Sequence, residues 1–276
     1  MNSLNQKLES LIVARCTAPA TADVLPIAAL APPRSIEDIL GGREWVGAFG
    51  RCWRVETSPS LAEPVSSTIS IADRDGPRIE INPPGACIID IETGGFSGTP
   101  VFLIGVLLFD ATGPLIVQLL ARDYPEEPAI LRGLAAVIAG RSTWVTFNGK
   151  SFDEPFLRDR ATAWRIELPP PASRVDVLHA ARRRWRGELP DCRLKTLEES
   201  VLRRSRPADV PSSDIPLLFH AFFRSGNASP LRSVLEHNRA DLVTTADLLT
   251  RLAQEPAAGP PPRPEFPAAA EKGVLF

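Results

Sequence analysis

The fold is decided by residues 86–121, which read ACIIDIETGGFSGTPVFLIGVLLFDATGPLIVQLLA. This stretch contains three apolar runs, 86–92, 101–109 and 115–121, separated by segments with glycine and proline. Short apolar runs bounded by turn residues are typical of buried strands. Because the DATGP connection is short and contains both glycine and proline, we predict that these strands are antiparallel neighbours.

An α/β pattern continues after these strands. A helical periodicity over 126–140 leads into a fourth apolar run, 143–147, and we expect this strand to be parallel to the first because a helix precedes it. Residues 175–177 are a candidate fifth strand. Helical patterns are also present over 152–164, 194–204, 215–226 and 234–252. We therefore predict an α/β fold with a mixed sheet of three antiparallel and two parallel strands, flanked by helices.

The segments on either side differ in composition. We expect residues 1–34 to be a mobile N-terminal segment and 35–82 to be a small, β-rich extension. The main domain is predicted to span 83–254. The Pro- and Ala-rich residues 255–276 are expected to form a disordered tail, because they cannot form a packed core. The Leu-Phe end of this tail loosely resembles bacterial sliding-clamp-binding peptides, which leaves a protein partner there as an alternative.

Composition excludes several classes of protein. The 276 residues are 44% hydrophobic, enough for a full core, and carry a formal net charge of −2. No run of about 18 uncharged apolar residues is present and the N-terminus does not resemble a secretory signal, so we expect a cytoplasmic protein without a membrane span. The cysteines lack zinc-finger or CxxC spacing and are interpreted as structural or incidental: Cys16, Cys52, Cys87 and Cys192.

Carboxylates occur near the ends of the predicted strands. Asp90 and Glu92 are two residues apart in one strand, so both side chains project from the same face, at the rim of the sheet. Asp153 follows the Asn148-Gly149 turn and lies near the start of a helix, where the helix dipole also favours an acid. Paired oxygen ligands on a rigid strand suit Mg²⁺ or Mn²⁺. Charged strand and helix ends without a metal are the alternative.

The last predicted helix carries His237 and Asp241. Their spacing of four places them on one helical face, about one turn apart. Taken alone, the two residues are also compatible with a surface pair or a partly buried hydrogen bond. The other two histidines, His179 and His220, lie in apolar helical patterns. We interpret both as packing or hydrogen-bonded side chains rather than ligands.

Together these motifs resemble those of a known family. They follow the order of the three exonuclease motifs of the DEDD superfamily: Asp90-Ile91-Glu92, then Asn148 with Phe152-Asp153, then His237 with Asp241. The stretch from 86 to 250 resembles the YprB-type, predicted exonuclease branch of the ribonuclease H-like fold. Supporting stretches are VDVLHAARRRW, CRLKTLEESVL and the region Pro211–Pro216.

The resemblance implies a ribonuclease H-like fold and a 3′→5′ exonuclease that cleaves single-stranded DNA or RNA with two divalent cations, Mg²⁺ or Mn²⁺. It implies four metal ligands, Asp90, Glu92, Asp153 and Asp241. His237 would be the general base. The histidine form of the superfamily usually has four residues between the histidine and the aspartate, but here there are three, as in the tyrosine form. A structure-selective endonuclease and a nucleic-acid-binding module with a lapsed nuclease site are the alternatives.

Further residues are candidates for binding the nucleic acid. Thr93 and Gly94 follow the first strand, where glycines would let a nucleotide approach closely or would simply form a turn. Asn148 and Lys150 are candidates for contacting a phosphate or sugar beside the site.

A basic stretch is the second candidate for the nucleic-acid surface. Between Arg174 and Arg206 there are ten basic and five acidic residues. The residues predicted to hold the strand are Arg182 to Arg186, Arg193 and Lys195, with Arg182 and Arg183 foremost. A solvated helix face is the alternative for this cluster, and we interpret Trp185 as core rather than as a base-stacking residue. Nothing in the sequence distinguishes DNA from RNA.

Overall fold

The computed structural model describes residues 35–254, with the exception of 64, 66–67, 72–77, 96–97 and 207. The expected N-terminal segment and the C-terminal tail, with its suggested partner-binding end, lie outside these residues. The strands are β1 (Arg43–Gly47), β2 (Gly50–Thr57), β3 (Ile69–Ile71), β4 (Ile79–Ile81), β5 (Ala86–Thr93), β6 (Val101–Asp110), β7 (Gly113–Leu120), β8 (Thr143–Thr146) and β9 (Ser173–Asp176).

Seven helices accompany these strands in the described part of the chain. They are α1 (Ile36–Leu40), α2 (Glu127–Val137), α3 (Asp153–Ala163), α4 (Val177–Trp185), α5 (Leu194–Ser200), α6 (Ile215–Ser225) and α7 (Ser229–Gln254). Short 3-10 turns cover Pro83–Gly85 and Tyr124–Glu126. Among the helices described here, none has both the length and the hydrophobicity that crossing a membrane requires.

The central sheet has seven strands in the order β1-β2-β7-β6-β5-β8-β9, and β3 pairs with β4 separately. The predicted five-strand arrangement is confirmed: β5, β6 and β7 are antiparallel neighbours, and β8 and β9 are parallel to β5. The sequence undercounted the sheet, since β1 and β2 extend it beyond β7. The alternating pattern of β2 predicted a strand, but no local signal shows which sheet edge it joins.

Helices cover both faces of the sheet, which explains why its strands are continuous apolar runs. Gly133 of α2 lies against Leu119 of β7, and Gly105 of β6 lies against Asn238 of α7. Leu119 pairs with Ile104, the neighbour of Gly105, and successive strand residues point to opposite faces. The helices α2 and α7 therefore pack on opposite sides of β6 and β7.

The predictions for the side chains interpreted as packing residues were confirmed in part. Trp185 and the three described cysteines, Cys52, Cys87 and Cys192, are buried, as predicted, and Cys16 lies outside the described residues. The hydroxyl of Tyr124 lies 3.1 Å from Nδ1 of His220, which confirms a hydrogen-bonded histidine. The packing prediction is wrong for His179, which is exposed. The buried stripe of α4 runs through Leu178, Ala181 and Trp185, and position 179 falls on its solvent face.

Gly105 allows α7 to approach the sheet closely. A Cβ at this position would lie 2.2 Å from Oδ1 of Asn238 and 2.8 Å from Cδ1 of Leu242. Both atoms belong to buried side chains in the middle of α7. A side chain at position 105 would therefore push the helix away from β6.

We expect Gly105→Ala to lower the free energy of unfolding by about 1–3 kcal/mol, the usual cost of overpacking a well-filled interior. Urea denaturation measures this change. Gly187→Ala is the matched control, because no atom lies within 4 Å of a Cβ at Gly187. Equal stability of the two variants would show that α7 does not depend on this close approach.

Candidate active site

Acidic side chains from three elements meet at the carboxyl end of β5. Asp90 and Glu92 belong to β5, Asp153 is the first residue of α3, and Asp241 lies in α7. The pairing of β5 with β6 shifts register between Glu92 and Thr93, which ends the regular ladder beside this position. The pocket here has a volume of about 450 Å³, and seven predicted site residues line it: Asp90, Glu92, Thr93, Asn148, Asp153, His237 and Asp241.

Two of the other predicted residues lie close to the pocket without lining it. Gly94 is buried in the turn after β5, and a Cβ there would lie 2.9 Å from Cβ of Thr99. This contact favours a plain turn at Gly94 over a nucleotide contact. Lys150 is exposed in the turn that begins at Asn148. Its side chain remains a candidate for a substrate contact next to the pocket.

The predicted basic residues do not line the pocket, and all of them except Arg184 are exposed. The helix α4 starts after Asp176, beside the turn at Asn148, and Arg182 is six residues further along it. This separation corresponds to about 9 Å along the helix axis. The structure therefore does not bring the following residues into the pocket: Arg182, Arg183, Arg193 and Lys195.

Asp176 holds the turn that leads to Asp153. Asn148 has a φ of 64°, the left-handed geometry that asparagine tolerates. The buried carboxylate of Asp176 accepts hydrogen bonds from the backbone N–H groups of Asn148 (2.9 Å), Lys150 (3.2 Å) and Leu178 (3.1 Å). One carboxylate thus ties the end of β8 to the start of α4, and this sets where α3 and Asp153 begin.

A row of polar contacts crosses the sheet beneath α7. Asp90 pairs with Gly105 on β6, and Gly105 pairs with Gln118 on β7. Asn238 lies over this row: its Nδ2 donates to Oδ2 of Asp90 at 2.7 Å, and its Oδ1 accepts from Nε2 of Gln118 at 2.8 Å. Gln118 also donates to the carbonyl oxygen of Leu235 at 2.9 Å. These contacts fix both the side chain of Asp90 and the position of α7.

Burial and mutual repulsion make the carboxylates resist ionisation. Burial, and then the negative charge of Asp241, raise the pKa of Asp90 and of Glu92 well above their ordinary values. Burial also raises the pKa of Asp153 to about 7. For Asp241, burial raises the pKa, while His237 and Arg206 oppose the shift. Placing several acids in one pocket therefore requires positive charge nearby.

Part of that positive charge comes from Arg206, which precedes α6. Its guanidinium lies 2.5 Å from Oδ1 of Asp241 and 2.7 Å from Oε2 of Glu198. Asp209 is close to the same group, at 3.5 Å, and its Oδ1 lies 2.8 Å from Nδ1 of His237. The opposite ring nitrogen, Nε2 of His237, lies 3.5 Å from Oδ2 of Asp241.

The donor set suits a hard divalent cation, but the side chains are turned toward protein partners. Among the described residues, no group of three or more His, Cys, Asp or Glu side chains is arranged to hold a metal ion. The contacts of Asp241 with Arg206 and of Asp90 with Asn238 occupy oxygens that an ion would need. Burial first, and then the charge of neighbouring carboxylates, raises the pKa of Asp90 and of Glu92, and Mg²⁺ or Mn²⁺ bound here would favour their ionised forms.

Sequence reasoning missed several residues of the site. Asn238 holds Asp90 and is itself held by Gln118, while Arg206 and Asp209 contact Asp241 and His237 from the segment before α6. One signal was available for Gln118, which interrupts an otherwise apolar strand. Arg206 and Asp209 lie in an irregular segment without periodicity, so nothing local indicated that they face α7.

Comparisons with known proteins agree with this fold. A model of the RNase H superfamily matches residues 87–253. The chain therefore belongs to the RNase H superfamily, and this membership points to a nuclease-type enzyme.

Two similar proteins can be named. The uncharacterized protein YprB of Bacillus subtilis (strain 168) is 30% identical over 171 residues, which cover 60% of this chain and 41% of that protein. The expected YprB-type relationship is thus confirmed, although this chain matches less than half of its relative's length. The family B DNA polymerase of the archaeon Pyrobaculum calidifontis is 15% identical, with a TM-score of 0.48 over 61% of this chain and 26% of that chain. That likeness is too weak to carry an inference.

Because the pKa of Asp153 is raised, the free energy of unfolding should depend on pH in the absence of divalent ions. Between its ordinary value of 3.8 and the folded value of about 7, the folded protein keeps a proton that the unfolded chain has lost. The free energy of unfolding should therefore fall with rising pH in this window, by up to roughly 1.4 kcal/mol per pH unit for this group. Asp153→Asn should show a smaller slope in urea denaturation.

Asp159→Asn is the matched control for this measurement, because Asp159 is exposed on the same helix. It should keep the wild-type slope. Identical slopes for both variants would contradict the buried, protonated state of Asp153.

Proposed function

We propose that this protein is a metal-dependent 3′→5′ exonuclease that hydrolyses phosphodiester bonds of single-stranded DNA or RNA. One observation carries the proposal: four carboxylates and a histidine from separate parts of the chain line a single pocket. They are Asp90, Glu92, Asp153, Asp241 and His237. A purely structural role does not account for so many acids in one pocket, because each raises the cost of ionising the others.

The four carboxylates would hold two divalent cations, Mg²⁺ or Mn²⁺. When bound, such ions stabilise the attacking and leaving oxygens of a phosphodiester. Asn238 and Gln118 would keep Asp90 in place on the rigid strand β5. His237 would orient or deprotonate the attacking water, since a neutral imidazole accepts a proton near neutral pH.

The nucleic acid would extend from the pocket toward α4. Thr93, Asn148 and Lys150 would contact the terminal nucleotide, and Phe152, which is 48% exposed, also lines the pocket. Beyond them, exposed basic residues on and after α4 would bind phosphates without regard to sequence: Arg182, Arg183, Arg193 and Lys195. This surface would accept either DNA or RNA.

A binding module with a lapsed nuclease site is the second candidate. The observation that favours it is the ion pair between Arg206 and Asp241, which neutralises one of the four acids without a metal. In such a module the pocket would bind a strand end without turnover. Asp90, Glu92 and Asp153 would then be buried acids without a compensating cation.

The test is degradation of 3′- and 5′-labelled single-stranded DNA and RNA with Mg²⁺, Mn²⁺ or EDTA. We expect metal-dependent loss from the 3′ end that stalls at a blocked 3′ terminus. Asp90→Asn should lower the rate by about 10²–10³-fold, as expected for loss of one charge in such a site. His237→Ala should lower it by about 10²–10⁴-fold.

Asp159→Asn should retain the wild-type rate, since that exposed side chain lies outside the pocket. Cleavage of a 3′-blocked strand would show that the protein is an endonuclease and not an exonuclease. Tight binding without cleavage by the wild type would establish the binding module instead.

The basic surface on α4 is tested separately through its salt dependence. The double variant Arg182→Ala/Arg183→Ala should weaken binding of a single strand, and the slope of log K against log salt should decrease by about 0.7 per lost phosphate contact. Fluorescence anisotropy at several salt concentrations measures this slope. Arg132→Ala, an exposed arginine on α2, should leave the slope unchanged. Equal slopes in all three proteins would remove α4 from the nucleic-acid surface.

A further inference from the structure

The segment between α5 and α6 brings a fifth acid, Asp209, to the histidine of the pocket. Oδ1 of Asp209 lies 2.8 Å from Nδ1 of His237, a normal hydrogen-bond length. The side chain of His237 is only 8% exposed, and that of Asp209 is 25% exposed. Asp209 belongs to none of the three motifs, and it does not line the pocket itself.

We propose that Asp209 is a positioning residue that fixes the orientation and tautomer of His237. An ionised carboxylate only accepts hydrogen bonds, so Nδ1 of His237 carries the hydrogen in this contact. The neutral ring then has no hydrogen on Nε2, and its lone pair faces the pocket. The catalytic part of this inference rests on the proposed nuclease function, because Nε2 would be the atom that receives a proton from water.

The contacts of Nε2 are longer than the contact of Nδ1. The hydroxyl of Ser212 lies 3.4 Å from Nε2, and Oδ2 of Asp241 lies 3.5 Å from it. Both distances are longer than the contact between Nδ1 and Asp209. Ser212 and Asp241 also line the pocket, so Nε2 faces the space where a substrate would bind.

Arg206 holds Asp209 in place. Its guanidinium lies 3.5 Å from Oδ2 of Asp209, and the N–H of Asp209 donates to the carbonyl oxygen of Arg206 at 3.2 Å. Arg206 is anchored in turn on Glu198 at 2.7 Å and on the hydroxyl of Thr244 at 2.9 Å. The acid beside His237 is therefore held by a network that also reaches α5 and α7.

The spacing between His237 and Asp241 leaves both side chains on one face of α7, and the ring of His237 has its partner elsewhere. Three residues separate the two, and both line the same pocket from one face of α7. The ring of His237 is oriented by Asp209, from outside its own helix. The orientation of the ring thus depends on the segment before α6 as well as on its position in α7.

Nitrogen NMR of the imidazole rings tests the inference directly. The chain has three histidines, so ¹⁵N-labelled histidine gives three sets of ring signals, and His237→Gln identifies the set of His237. In the neutral ring of the wild type, we expect Nδ1 to be protonated and Nε2 to be unprotonated. In Asp209→Ala this preference should be lost, with the hydrogen shifting toward Nε2. The signals of His179 and His220 serve as internal references.

Asp209→Asn is the conservative variant, because its amide oxygen can still accept from Nδ1. It should keep the wild-type tautomer, and Asp159→Ala should leave all three sets of signals unchanged. A wild-type His237 with its hydrogen on Nε2 overturns the proposal, and this result does not require any variant of Asp209 to fold. An unchanged tautomer in folded Asp209→Ala overturns it as well.

Measurements of nuclease activity distinguish a failure of this inference from a failure of the proposed function. In a chain that degrades strands, Asp209→Ala should lower kcat by about 10–100-fold, the usual effect of removing a residue that orients a functional histidine, with KM unchanged. Asp209→Asn should restore most of the rate. If Asp209→Ala raised KM and left kcat unchanged, the positioning role of Asp209 in catalysis would be overturned. A wild type without any nuclease activity would refute the proposed function, while the NMR result would still decide whether Asp209 sets the tautomer.

Discussion

The side chain of Asn238 joins the last helix to the sheet. It is fully buried, and its amide spans the gap between Asp90 on β5 and Gln118 on β7. A buried amide without such partners would cost about 1–3 kcal/mol, so this contact strongly selects one placement of α7. Gly105 makes the placement sterically feasible. Since His237 precedes Asn238 and Asp241 lies one turn beyond it, the same contact positions both of them relative to Asp90.

The electrostatics of the pocket follow from that placement. Once α7 docks, Asp241 joins Asp90, Glu92 and Asp153 in one pocket, and burial with repulsion between carboxylates raises the pKa of each. A fold gains nothing in stability from this arrangement. The arrangement supports the proposed cation site, in which some stability would be given up for function. Arg206 limits the repulsion at Asp241 but does not contact the acids of β5.

The segment between α5 and α6 contributes two charged residues that contact the residues of the site. Arg206 and Asp209 come from this segment and contact Asp241 and His237 respectively. Each of these contacts joins the segment to α7, so the two parts of the chain are held in one arrangement. The exposed basic residues of α4 and of the stretch after it do not line the pocket.

The local sequence pattern was sufficient to predict much of the fold and of the candidate site. The apolar runs of β5 to β8 and the helical periodicities predicted the five-strand core of the sheet, since strand and helix periods are written in neighbouring residues. Asp90, Glu92, Asp153, His237 and Asp241 were singled out from their motifs, and all five line one pocket. Other features needed the assembled chain. The pairing of β2 with β7, the amide of Asn238 over Gly105, and the reach of Arg206 and Asp209 to α7 all join residues distant in sequence. Contacts of that kind depend on how the helices and strands pack against one another. They produce no repeating pattern in the sequence of either segment, so the sequence alone does not predict them.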